Sequence, residues 1–138
     1  MRLLRGLGDD RGMAAVEFAL ILPILVGLVL FGVDGWMRIN QVSQMRSALS
    51  AGARYYEGGG SDDTAAATLA MQAWAHPPAD AALTTARSCT CGGAPSSCAA
   101  QCANNTLPNV YVTLTSSGTY SGLMHSESLT QSGAVRVR

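Results

Sequence analysis

Four cysteines, Cys89, Cys91, Cys98 and Cys102, fall within fourteen residues of one another and form the densest group of reactive side chains in the chain. Such a group either binds a metal through its thiolates or closes into disulfides. Zinc sites set Cys-x2–4-Cys pairs on both sides of a longer stretch; here Cys89-x-Cys91 is too tight and the Gly/Pro/Ser segment before Cys98 is very short. A direct Cys89–Cys91 bridge would be strained, so two disulfides are expected, in which Cys89 and Cys91 each reach one of Cys98 and Cys102. The two histidines, His76 and His125, are remote from each other, with no carboxylate–histidine spacing typical of a metal site. His76 reads as a helix-end residue. No base stands in a recognisable pattern with a nucleophile, so the residues argue against an enzyme and call for no cofactor, no metal and no small-molecule substrate.

The second informative residue is Glu17, because it stands at the head of a long apolar run. From Leu20 to Val33 the chain carries eleven Leu, Ile, Val or Phe residues and no charge. From Met13 to Val33 a helix would cover roughly 30 Å, the hydrocarbon thickness of a bilayer. Eleven such residues favour insertion by about 3 to 7 kcal/mol, against about 2.5 to 3.5 kcal/mol for one charge at the centre and less near an end. Insertion wins, and Glu17 becomes an ionisable group in a membrane segment that needs a partner. Asp34, at the far end, reads as the water boundary.

Arg2, Arg5 and Arg11 precede the apolar run, and Arg38 is the first positive charge after it. The positive-inside tendency keeps the N-terminus in the cytoplasm and sends the C-terminal part across the membrane, into an oxidising space where disulfides persist. A cleaved secretory signal has a shorter apolar region and a small-x-small site, which Val33-Asp34-Gly35-Trp36-Met37-Arg38 does not offer. Charge and hydropathy leave an uncleaved signal anchor open.

Arg11-Gly12-Met13-Ala14-Ala15-Val16-Glu17-Phe18 resembles the processing site of type IV pilin-like precursors. With Ala14-Ala15 before the Glu-Phe pair and Pro23 inside the Leu/Ile/Val run, it is most similar to the TadE-like minor pilins, or pseudopilins, of the tight-adherence (Flp) pilus system. The resemblance implies cleavage between Gly12 and Met13 by a membrane prepilin peptidase. It makes Glu17 the fifth residue and Phe18 the sixth of the mature chain, both serving assembly. The cut leaves a charged amine on Met13, a partner for Glu17 of a neighbouring subunit. Desolvation makes such a pair a setter of register more than a source of stability. The implied partners are membrane lipid, the peptidase, other pilins or minor pilins and an inner-membrane pilus platform. The implied location is the bacterial inner membrane, single-pass with a periplasmic C-terminal domain, and the pilus or cell surface after assembly.

Those residues need a frame. Ala15, Ala19, Pro23 and Gly27 recur at intervals of four and share one helix face, where small residues let helices approach closely in lipid. Pro23 removes one helix hydrogen bond and is expected to kink or loosen the segment. Past Trp36, Ile39, Val42, Met45, Leu49 and Ala53 form a stripe at steps of three or four, expected to pack on a head domain. Gly58-Gly59-Gly60 ends this spine. Ser61-Asp62-Asp63 then caps a second helix from Thr64 to about Ala75, stopped by His76-Pro77-Pro78. Val110, Val112 and Leu114 alternate with polar neighbours, Ala134 to Arg138 alternate again with Arg136 and Arg138 outward, and Leu83 to Cys89 is a weaker strand candidate. Gly118 and Gly122 read as the connection between the two clear strands. The expected fold is α+β and pilin-like, a long N-terminal transmembrane and amphipathic helix packed against a small antiparallel sheet with a second short helix. Its parts are a leader, 1–12; a spine, 13–57, crossing the membrane at about 14–36; and an exported head, 58–138.

With nine Arg, no Lys and nine acidic residues, the net charge is zero and the arginines are scattered, which argues against nucleic acid. About 80 residues outside the membrane suffice for one small domain, and cysteine staples suit it. Together these features read as a minor pilin or pseudopilin that helps a pilus to assemble and so supports adhesion. The alternative is an uncleaved, membrane-anchored envelope protein whose exported domain binds another envelope component.

Overall fold

The computed structural model describes residues 10–137; most of the leader, including Arg2 and Arg5, and the terminal Arg138 lie outside them. The order of elements is α1 (Asp10–Glu57), α2 (Asp63–Gln72), β1 (Ala82–Cys91), β2 (Ala94–Ser96), β3 (Asn109–Ser121) and β4 (Ser126–Arg136). This is the expected α+β arrangement, a long helix and a short one on a small antiparallel sheet.

α1 runs unbroken through Pro23 for 48 residues, roughly 70 Å. Glycine ends it: Gly58 and Gly60 donate back to Arg54 and Tyr55, and Gly59 takes φ +89°, a left-handed conformation that costs a residue without Cβ little. In α2 the Asp62 carboxylate accepts from the Thr64 and Ala65 amides at 2.8 and 3.3 Å, the N-cap expected of it. The far end differs from expectation, because the helix stops at Gln72 and not at the prolines. Trp74 leaves the helical path and is buried against Met45 and Ala48, so packing ends the helix before Pro77 and Pro78 can.

The sheet order is β2-β1-β3-β4 and every pairing is antiparallel. Gly92 and Gly93, both at positive φ, make the two-residue turn from β1 to β2. β3 alternates strictly: Val110, Val112, Leu114, Ser116, Gly118 and Tyr120 face the helices while their neighbours face outward. Gly118 therefore lies inside β3 and not in the connection; a side chain there would run into Pro78. β4 begins at Ser126, earlier than the alternation near the C-terminus suggests, because its Ser- and Thr-rich first half carries little apolar signal.

The helix face that meets the sheet is also rotated from the expected one. Met45, Ala48, Leu49, Gly52 and Tyr56 are buried, whereas Ile39 is 68% exposed and Ala53 is only partly covered. Close approach decides the face. A Cβ on Gly52 would sit 2.5 Å from Leu114 and 3.3 Å from Ala70, so bare backbone at this position lets α1 settle on β3 and α2 together. Two clusters result, Met45, Ala48, Trp74, Tyr120 and Leu129 nearer the N-terminal half of the helix, and Leu49, Tyr56, Ala66, Val112 and Leu114 nearer its C-terminal end.

The C-terminal end of α1 is tied down by a polar network. Tyr56 donates to Asp63 Oδ1 at 2.6 Å, and the Arg87 guanidinium spans both Asp63 oxygens and the Ser61 carbonyl, joining α1, α2 and β1. Burial first, then the bond to Asp63, pushes the Tyr56 phenol up to about 12. The folded chain thus holds this proton more tightly than the unfolded chain does. Its contribution to stability is complete below the ordinary tyrosine range near 10 and is lost as pH rises toward about 12. Ultraviolet titration of the phenols should show a component delayed to about 12, reversible with refolding, that disappears in Tyr56→Phe.

Candidate functional site

From Met13 to Val33 every residue of α1 is exposed. Met13, Glu17, Phe18, Ala15, Ala19, Pro23 and Gly27 all lie on this bare stretch, and a Cβ on Gly27 would touch nothing. The small residues at steps of four do share a face, and within one chain that face is open. α1 is long and apolar enough to cross a bilayer and fits a single-pass anchor. The Gly12–Met13 bond lies in its first turn, where amides lack intrahelical partners and unwinding is cheap.

Where the apolar run ends, the structure builds a site that the residue pattern did not announce. Asp34 is 2% exposed. The Tyr120 hydroxyl donates to its carbonyl at 2.8 Å and lies 3.0 Å from Oδ1, the Leu123 amide donates to Oδ1 at 2.6 Å, and His125 Nδ1 lies 2.9 Å from Oδ2. Asp34 is therefore not merely a boundary marker but the acceptor that docks the β3–β4 hairpin on the helix. One turn further on, Arg38 pairs with Glu127 of β4, and next Arg46 donates to Gln131 at 3.2 Å. The Arg38 hydrogen bond holds the Glu127 carboxyl below its usual range, while burial and then the bond to Asp34 hold the Tyr120 phenol above its own. Gly122 makes the approach possible, since a Cβ there would collide with Asp34 Oδ1 and the Tyr120 ring. The available signal was a lone acid directly after an apolar run. Its partners lie more than 80 residues away, beyond any local pattern.

At the opposite end of the sheet the cysteines pair as Cys89–Cys98 and Cys91–Cys102, one of the two pairings left open. Each staples the loop after β2 to the end of β1. An open groove of about 690 Å³ beside the helix includes His76 and Asp80. Asp80 is already committed, accepting from the Thr119 amide at 3.0 Å and its hydroxyl at 2.6 Å. Among the described residues no group of three or more His, Cys, Asp or Glu could hold a metal.

The latch has a measurable consequence. Asp34→Ala leaves the Leu123 amide without its acceptor, a loss of about 1–3 kcal/mol or roughly five- to 150-fold in hydrogen-exchange protection. Leu123 in the full chain should show that loss while Val112 keeps its protection, and Asp34→Asn, which retains an acceptor, should lose less.

Residues 12–54, the stretch of helix that carries Gly12 and Glu17, match the family model described as TadE-like protein. No curated protein and no solved structure matches the chain.

Proposed function

We propose that this TadE-like chain is a minor pilin or pseudopilin of a tight-adherence pilus, cut after Gly12 by a prepilin peptidase and taking part in pilus assembly and thereby in adhesion. One observation carries the reading: the Gly12/Glu17 spacing opens an apolar helix that stays bare from Met13 to Val33 and then continues, without a break, into the spine on which the head is docked. A helix that is apolar all round and uncovered in one chain is suited to lipid and then to other helices. In this reading the leader faces the cytoplasm and the head lies in the periplasm, where its two disulfides form.

The cut determines what Glu17 does. Before it, the carboxylate faces lipid alone; after it, the amine on Met13 of one subunit meets Glu17 of the next and sets the axial register between them. The head then projects from the membrane surface at a height fixed by Asp34.

Mass spectrometry of the membrane form from the native host should find a chain starting at Met13, and a chain that retains residues before Met13 would favour the uncleaved anchor. In the same host, Glu17→Ala should insert normally and abolish assembly; unchanged piliation would remove the role given to this carboxylate.

A further inference from the structure

The hairpin tip opposite the disulfides exposes two large apolar residues, Leu123 at 60% and Met124 at 59%, on a turn otherwise composed of Gly122 and His125. Its height along the helix can be read from the contacts. Arg46 meets Gln131 and Arg38 meets Glu127. The helix descends roughly 12 Å between its two residues and the strand roughly 13 Å between its own, so β4 runs beside α1 at matched pitch. Continuing the same pitch brings His125 level with Asp34, where the 2.9 Å contact between them confirms it. Leu123 and Met124 therefore lie at or below the level of Asp34, beside the last residues of the apolar run.

We infer that this tip is a second membrane contact: Leu123 and Met124 dip into the interfacial layer of the leaflet on the head side, next to the point where α1 leaves it. Three features fit that occupant. The tip is continuous with the bare apolar surface that ends at Val33, and Trp36, 66% exposed, stands at the same boundary, where tryptophan is favoured. Part of the tip backbone is already satisfied within the fold, as Gly122 donates to the His125 carbonyl at 2.9 Å and Leu123 to Asp34. Of the nearby carboxylates, Glu127 is paired with Arg38, and Asp34 is turned inward onto the Tyr120 hydroxyl, the Leu123 amide and His125 Nδ1. The inference rests on the reading that α1 spans a bilayer. Two anchor points, the helix and the tip, would fix the rotation of the head about the helix axis as well as its height.

The test uses the full chain, its disulfides intact, in phosphatidylcholine vesicles. A nitroxide is attached to Met124→Cys and, in separate samples, to Leu123→Cys, Leu25→Cys and Asn104→Cys, and its collisions with oxygen and with a water-soluble nickel chelate are compared. Oxygen should dominate at Leu25 and at both tip positions, and the nickel chelate at Asn104. If Leu25 is not in lipid, the spanning reading itself fails. If Leu25 is in lipid while both tip labels respond like Asn104, only the tip contact is overturned. If the tip is shielded from both reagents and the shielding is lifted by dilution with lipid, its occupant is a second copy of the chain and the inference is equally overturned. Bromolipid quenching of Trp36 should respond at a depth close to that of Met124, and a tip that lies shallower than Trp36 would contradict the geometry.

Discussion

Burying one carboxylate where the apolar run ends obliges the rest of the head to come to it. An isolated charge shielded from water costs several kcal/mol, so Asp34 can be 2% exposed only because Tyr120, Leu123 and His125 surround it. All three arrive on one hairpin. Their arrival fixes β3 and β4 against α1, and Arg38 with Glu127 and Arg46 with Gln131 repeat the join at successive heights. The two apolar clusters then fill the space between these polar ties.

The packing works with small residues on the helical side. Ala48 and Gly52 on α1 and Ala66 and Ala70 on α2 are buried, and they let Leu114, Val112 and Tyr120 of the sheet approach close to the helix backbone. A narrow head can be held this way on the flank of a single long helix. The same helix keeps every residue from Met13 to Val33 exposed.

How much the residues alone disclose depends on the range of each signal. The membrane-capable run, the glycine stop at 58–60, the Asp62 cap and the alternation of β3 are written in neighbouring residues, and these parts emerged as expected. The latch was not legible, since nothing near Asp34 marks it as an acceptor for an amide 89 residues on. Nor was the true buried face: large apolar residues drew the stripe through Ile39, whereas the contact is made where side chains are smallest. Gly118 misled for a related reason. Glycine suggests a turn, but in β3 it clears room for Pro78. The cysteine spacing limited the pairings, and only the hairpin at Gly92-Gly93 decides which thiol faces which partner.

β2 covers the outer edge of β1 only from Cys89 to Cys91, and it does so with three residues that include Pro95. A short, proline-bearing border strand offers little purchase to a stranger's backbone. Along the remainder of β1, the Arg87 side chain leans across to α2 and is held there by Asp63. At this corner of the sheet, cystine and imino acid together discourage the addition of a foreign strand.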